Sequence, residues 1–289
     1  MIFNKLYKQF FKSKLLDKIL LFMILSLILS KSLNYIFCNK REGLEGFNPV
    51  YNYLESNNKI YNDMYCRLYD KLVYNDDKNG YEISRIIEGT NPDKNDLVLD
   101  IGSGTGHHVG ELTLNNIPAI GIDISPAMVN IAMENYPNSH FINADGLDPN
   151  ILDDEMVSHI TCLYFTIYYF QDKNIFFENC YNWLIPGGYL IIHLVDKYKF
   201  DKIVPSGEAM DAKRLESEVL FDDIEYTSKL EINDKSDNAL FNEKIKKDEI
   251  VIENQHQLFI EPQKKILNIA KENGFIIENM YDMVACNYD

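Results

Sequence analysis

Paired cysteines are missing from this sequence. Cys38, Cys66, Cys162, Cys180 and Cys286 are odd in number and scattered, and none has C-x-x-C or histidine-paired spacing. This indicates neither a zinc site nor a disulfide framework. Cys162 lies in an apolar run and Cys180 in a helical pattern, where a thiol behaves as a small hydrophobe. Basic side chains are also scarce: 28 Lys and Arg stand against 44 Asp and Glu, a formal net charge of −16. A phosphate backbone is bound mainly by clustered Lys and Arg that release counterions, so this balance counts against a nucleic-acid partner. Internal repeats, low-complexity tracts and N-x-S/T sequons are absent as well.

What is present suffices for a globular fold, with 46% hydrophobic and 25% charged residues in a 289-residue chain. That length admits one domain of about 200 to 250 residues plus an appendage. The appendage reads as residues 1–47. Lys5, Lys8, Lys12, Lys14 and Lys18 face the single acid Asp17 and precede the apolar run Ile19–Leu29. A basic flank and an apolar core fit an uncleaved anchor, a signal peptide, an interfacial helix or a helix packed on the domain. A spanning helix needs about 20 mostly apolar residues, which here means running through Lys31 and Asn34 to Phe37. No small-residue cleavage site follows Leu29, which favours the uncleaved N-terminal hydrophobic helix. Residues 40–46, with glycines and alternating charges, read as a linker to a domain over 48–289.

The domain is organised around Leu97-Val-Leu-Asp-Ile-Gly-Ser-Gly-Thr-Gly106, a buried strand that breaks into a turn opening a helix. Glycines there let backbone N–H groups approach a ligand that a Cβ would exclude. A dinucleotide loop is G-x-G-x-x-G. Here Gly102, Gly104 and Gly106 run G-x-G-x-G behind Asp100, and Asp123 closes the next apolar run, Ala119–Asp123. This arrangement resembles motif I of the class I S-adenosylmethionine (SAM)-dependent methyltransferases. The Leu184-Ile-Pro-Gly-Gly-Tyr-Leu190 turn resembles the one before that family's fifth strand.

Around these marks, helix and strand patterns alternate from Leu97 to Val195, as in parallel βαβ units. Strands are expected over His140–Asp145, Val157–Phe165 and Tyr189–Val195. Helices are expected from Gly106 to about Asn115, over Ala127–Tyr136 behind Ser125 and Pro126, and over Asn174–Leu184. The fold class is α/β, a Rossmann-like methyltransferase sheet with helices on both faces. A helix over Asn57–Val73 carries Tyr61, Tyr65 and Tyr69 on one stripe, and a short helix over Tyr81–Glu88 follows. Residues 200–261 lose the alternation and read as a β-rich insertion. Pro262–Glu272 reads as a helix and Phe275–Val284 as a final strand. In the family this chain resembles, the last strand inserts antiparallel between strands five and six; here either the insertion fills that slot or the terminal piece is missing.

The resemblance implies SAM as cofactor and assigns roles to residues. Asp100 would orient the loop and the methionyl amine, with Gly102, Ser103, Gly104 and Gly106 approaching the cofactor through their backbone. Asp123 would accept from the ribose hydroxyls, Ile124 and Met128 would flank the adenine, and Ala144 and Asp145 would meet its edge. Tyr65 and Tyr69 would be contacts from the covering helix. Each acid could equally be a helix cap or a solvated loop charge. No metal is implied.

Methyl transfer is a displacement that positioning and water exclusion can accelerate, so no obligatory triad marks the acceptor side. Tyr164, Phe165, Thr166, Tyr168, Tyr169, His193 and Asp196 stand near the strand ends. His193 is a candidate base, and Tyr168 a second catalytic candidate, though a lone histidine in an apolar strand also fits a satisfied core position. The chain lacks the Asp/Asn-Pro-Pro-aromatic motif and the Pro-Cys nucleophile of nucleic-acid methyltransferases, which leaves a small-molecule or protein methyl acceptor. Two other readings stay open: a membrane-anchored scaffold of this fold without turnover, and a nicotinamide-dependent oxidoreductase, which the glycine spacing disfavours. Oligomeric state is not legible.

The appended segment carries an expectation about location. The positive-inside rule would export the domain if the segment spans, whereas SAM is held in the cytosol, so membrane association with a cytosolic catalytic face is expected. Deleting Met1–Phe37 should release the protein from the membrane fraction and leave SAM binding intact. A full-length chain already in the soluble fraction would refute the anchor.

Overall fold

The computed structural model describes residues 53–56, 60–198, 216–221, 224–233 and 235–283, with 53–56 and 216–221 described as backbone only. The expected anchor and linker, residues 1–47, lie outside the described residues. Among the described residues no helix is long and apolar enough to cross a membrane.

In chain order, β1 (Tyr53–Ser56) is followed by α1 (Asp63–Val73) and α2 (Asp76–Thr90). Then come β2 (Val98–Ile101), α3 (His107–Leu114), β3 (Ala119–Asp123), α4 (Pro126–Asn135), β4 (His140–Asn143) and β5 (Val157–Cys162). A 3₁₀ turn over Thr166–Tyr169, α5 (Lys173–Trp183) and β6 (Leu184–Ile192) complete the alternating part. β7 (Glu216–Phe221), β8 (Ile224–Ile232), β9 (Asn238–Lys247), β10 (Ile250–Phe259) and α6 (Gln263–Glu272) follow.

Two five-stranded sheets result. The first has the order β4-β3-β2-β5-β6 and is parallel throughout. Its central strands β2 and β5 are buried along their whole length, as a sheet covered on both faces requires. Alternation decides which core each residue joins: Val98 packs with Ile83, Ile86, Val109, Leu112 and Val129 from α2, α3 and α4. Leu99 and Ile101 point the other way, into a core with Phe176, Phe177 and Trp183 of α5 and Ile266 and Ala270 of α6. The second sheet has the order β1-β10-β9-β8-β7, antiparallel except that β1 runs parallel to β10. Leu230, Ala239, Phe241 and Leu258 carry its inner face into that same core.

The caps follow the sequence closely. Asn62 accepts from the N–H groups of Met64 and Tyr65 and so caps α1 within the stretch expected to be helical, of which residues 57–59 lie outside the described residues. Asn75 caps α2 by accepting from Lys78 N–H, which starts that helix earlier than Tyr81. Ser125 caps α4 with Pro126 in its first turn. The Pro186-Gly-Gly stretch is an irregularity inside β6, since Val157 pairs with Leu184 and His159 with Tyr189.

The β-rich insertion is present as a sheet of its own and does not extend the parallel one. The strand expected from Phe275 does not form over residues 275–282. Phe275 packs instead on Phe177 and Tyr181 of α5, and further on the Tyr281 hydroxyl sits against Gly89 of α2, with the Arg85 guanidinium 5.7 Å from the Tyr281 ring centroid.

A buried cation ties the two sheets together. Lys173, at the first turn of α5, is 1% exposed; its Nζ lies 2.5 Å from Glu261 beyond β10 and donates to the carbonyls of Phe170 and Phe259. Removing one partner of a buried pair strands the other charge, at a cost of about 3–5 kcal/mol, whereas apolar replacement of both is often close to neutral. Lys173→Met is therefore expected to lower the melting temperature markedly. Adding Glu261→Leu should restore most of the loss, and thermal denaturation of the two variants checks it.

Candidate cofactor and acceptor site

β2 and β3 end side by side, and their last residues build the first half of the site. Asp100 is 2% exposed and accepts from Thr161 Oγ1 at 2.6 Å; burial pushes its carboxyl above the ordinary range, against the pull of His108 and Thr161. At Gly102, φ is +72° and an added Cβ would stand 2.4 Å from the Thr166 side chain. Gly104 differs: φ is +54°, and the nearest atom to an added Cβ is Tyr69 Cε1 at 3.9 Å. The first glycine is thus required by protein packing, and the second leaves an open cradle under an aromatic ring. Ser103 Oγ, buried without a hydrogen-bond partner, packs against Gly121 of β3.

Asp123, at the end of β3, points into the same cradle. Its Oδ2 accepts from Gly104 N–H at 3.0 Å and its Oδ1 from Ser125 N–H at 2.8 Å. Burial nevertheless raises its carboxyl to about 6, partly opposed by these two backbone donors. A carboxylate held this way favours a ligand bringing further hydroxyl donors.

The cradle is roofed by α1, which three contacts hold in place. Thr105 Oγ1 donates to Asp70, His107 Nε2 lies 3.1 Å from Asp70, and Ser125 Oγ donates to the Tyr61 carbonyl at 2.7 Å. The tyrosine stripe then spans from loop to second sheet. Tyr69 covers Gly104, Tyr61 lies 6.1 Å from Tyr69 between ring centroids, and Tyr65 reaches Glu243 of β9.

On the far side, strand alternation brings polar groups inward. Tyr226 of β8, Glu243 of β9 and His256 of β10 are all buried. Glu243 accepts from Tyr65 at 2.8 Å, Tyr226 at 2.5 Å and His256 Nε2 at 2.6 Å. Burial alone would raise the Glu243 carboxyl, but the His256 ring and the tyrosine hydroxyls outweigh it and hold it below the ordinary range. His256 Nδ1 lies 2.7 Å from the Tyr169 hydroxyl, which lies 2.8 Å from that of Tyr61. Tyr169 is close enough to Asp123 to feel its charge: after burial and Glu243, Asp123 also pushes the phenol up.

The expected site residues divide as follows. Asp100, Gly102, Ser103, Gly104, Gly106 and Asp123 gather at the strand ends, with Gly106 as the N-cap of α3. Met128 is buried beside Tyr61 and Tyr69, whereas Ile124 is 61% exposed. Ala144 donates to the Asp123 carbonyl at 3.0 Å, and the exposed Asp145 accepts from Leu147 N–H. Tyr65 turns away from the glycine loop toward Glu243. Tyr168 is fully buried, and its hydroxyl accepts from Val195 N–H at 2.8 Å, so it faces the core. Its neighbour Tyr169 faces the roof.

His193 has a structural task. Its Nδ1 accepts from Tyr164 N–H at 2.9 Å, fixing a non-glycine residue at φ +54°, and burial pushes its ring below the ordinary range. Neither Glu243 nor His256 was singled out from sequence. The signal was there: Glu243, Asn254 and His256 stand at inward positions of alternating strands.

Comparisons with known proteins fit this geometry. Residues 99–192 match the methyltransferase domain family. The chain is similar to the phosphoethanolamine N-methyltransferase of Plasmodium falciparum, 29% identical over 162 residues, which cover 52% of this chain and 58% of that protein. This chain therefore spans under two thirds of that relative. It also resembles the structure of a SAM-dependent methyltransferase from Clostridium acetobutylicum, with a TM-score of 0.55 and 19% identity over 72% of this chain and 85% of the other. A sugar N-methyltransferase of Streptoalloteichus gives 0.56 and 18% over 81% and 90%. At such identities the likenesses show the fold. The parallel-sheet part of this chain has the fold of the SAM-dependent methyltransferases it resembles.

The cradle suits SAM: an open glycine and an acceptor carboxylate line one space. The two glycines should separate in their effects. Gly104→Ala places a methyl group in the cradle and is expected to weaken SAM binding at least tenfold, with a folding cost of about 1–2 kcal/mol from the left-handed backbone. Gly102→Ala adds a clash with Thr166 and should destabilise more. Titration calorimetry and thermal melts of both variants check the contrast.

Proposed function

We propose that the chain binds SAM between the glycine loop and α1 and transfers its methyl group to a small-molecule acceptor held against the second sheet. The observation that carries this reading is the pairing of Asp123 with the open face of Gly104 under Tyr69. When bound, SAM supplies an electrophilic methyl on a sulfonium. The residues then act by position: Asp123 accepts from the ribose hydroxyls, the backbone of Gly102, Ser103 and Gly104 lies against the cofactor, and Met128 meets the adenine. Ile124, Ala144 and Asp145 complete the adenine rim in this reading. Tyr69 and Tyr61 exclude water from the space above the loop, where alignment and desolvation accelerate a displacement.

The small-molecule acceptor is supported by relatives whose names specify phosphoethanolamine and a sugar as substrates. The membrane association expected from residues 1–47 belongs to the same proposal and concerns where the enzyme works.

Calorimetry of the full-length protein with SAM and S-adenosylhomocysteine tests the reading, and absence of binding by folded protein overturns it. Asp123 adds a signed prediction. Its folded pKa, about 6, lies above its unfolded value, so ionisation penalises the fold as pH rises through that range. Asp123→Asn should therefore raise the melting temperature at neutral pH, with the gain shrinking as pH falls below about 6. The same substitution should weaken SAM binding at least tenfold, about 1.4 kcal/mol. In the unsubstituted protein SAM affinity should fall as pH drops through the same window.

A further inference from the structure

The polar chain between α1 and the second sheet has a direction that its chemistry fixes. An ionised carboxylate can only accept, so the 2.6 Å contact to Glu243 places a proton on His256 Nε2. In the neutral ring Nδ1 is then an acceptor, and the Tyr169 hydroxyl donates to it. With that proton committed, the Tyr169 oxygen accepts from the Tyr61 hydroxyl. What remains is the Tyr61 oxygen, an acceptor at the end of the chain. Tyr61 is also the residue whose carbonyl is held by Ser125, two positions from Asp123.

A second observation points to a ligand on this side. Asn254 stands opposite Glu243 in the β9–β10 register, on the same face as His256, and is 2% exposed. Neither its amide oxygen nor its nitrogen has a hydrogen-bond partner. A buried amide left open on both atoms is costly unless something else meets it.

We infer that Tyr61 and Tyr169 accept the proton that leaves the methyl acceptor and pass it to His256, where Glu243 holds it as an ion pair. The inference rests on the reading that the adjoining loop binds SAM. The balance is simple for an amine or hydroxyl acceptor. The acceptor atom forms a bond to the methyl carbon, the carbon–sulfur bond breaks with its electron pair staying on sulfur, and one N–H or O–H proton must leave. That proton goes to the Tyr61 oxygen, the Tyr61 proton to Tyr169, and the Tyr169 proton to His256 Nδ1. His256 ends as an imidazolium between Tyr169 and Glu243. The groups facing its ring are Tyr61 just before α1, Tyr65 from α1, Tyr169 from the 3₁₀ turn, and Phe241 and Glu243 from β9, so Glu243 provides the compensating charge. The substrate class is thereby narrowed to acceptors that lose a proton on methylation. Tyr61 and Tyr169 are catalytic residues in this scheme; His256 and Glu243 act through them.

Two measurements on the full-length protein test it. The first needs no acceptor: nitrogen-15 histidine spectra with and without S-adenosylhomocysteine. With S-adenosylhomocysteine bound and no acceptor present, His256 should carry its proton on Nε2 and not on Nδ1, and Tyr169→Phe should shift its Nδ1 resonance. A proton already on Nδ1 under those conditions, or a resonance indifferent to Tyr169→Phe, overturns the relay. The second follows methyl transfer from labelled SAM to ethanolamine, phosphoethanolamine and glucosamine. For any acceptor turned over, Tyr61→Phe, Tyr169→Phe and His256→Gln should each lower kcat by about 10²-fold with SAM affinity unchanged. The acid limb of the pH–rate profile should vanish in His256→Gln. Unchanged kcat and a retained acid limb in that variant, with SAM still bound, overturn the inference alone. Failure of the unsubstituted protein to bind SAM overturns the function reading instead. If none of the three amines is turned over, the spectra decide.

Discussion

A carboxylate taken out of water must be met by donors, and Glu243 meets that requirement with groups from three different elements. Tyr65 reaches it from α1, Tyr226 from β8 and His256 from β10. An unpaired buried charge would cost more than a domain of this size can spare, so these elements are held in one arrangement. The constraint propagates. Tyr65 fixes α1 against the second sheet, and α1 carries Tyr69 over the glycine loop of the first. The position of the roof is therefore set from the far sheet as well as from Asp70 and Ser125 beneath it.

The two sheets divide the work that the site performs. Parallel strands end where backbone N–H groups, a carboxylate and a left-handed glycine can surround a ligand, as is general for crevices at the carboxyl ends of such strands. The antiparallel sheet has one face in the core and so can offer side chains inward at every second residue, including Tyr226, Glu243 and His256. The 3₁₀ turn after β5 connects the two: Thr166 presses on Gly102 and Tyr169 reaches His256. Its entry is strained at Tyr164, and His193 stabilises that backbone by accepting its N–H.

Beneath the loop lies a second buried cluster. Glu82 of α2 contacts His108, with His193 at 3.9 Å, and His108 lowers the nearby Asp100 against its burial. Glu82 in turn raises His108 above the ordinary range, although burial alone would lower it. This arrangement keeps opposite charges under the glycine turn and accounts for a buried Asp100 without a cation from solvent.

The sequence by itself determined the parallel sheet, the glycine loop between Asp100 and Asp123, and the Ser125–Pro126 helix start. These depend on local periodicity, on left-handed turns and on caps that act within four residues. It misjudged Phe275–Val284, because an apolar run does not say whether an open sheet edge or a helix face receives it. Only the tertiary structure decided that Tyr169, and not Tyr168, faces the roof, since a 3₁₀ turn rotates neighbouring side chains by about a third of a circle. Only the tertiary structure, too, joined Tyr61, Tyr169, Glu243 and His256. They come from four separate segments spread over nearly two hundred residues, and a hydrogen bond across that span is set by how the sheets pack, which no short window of sequence contains.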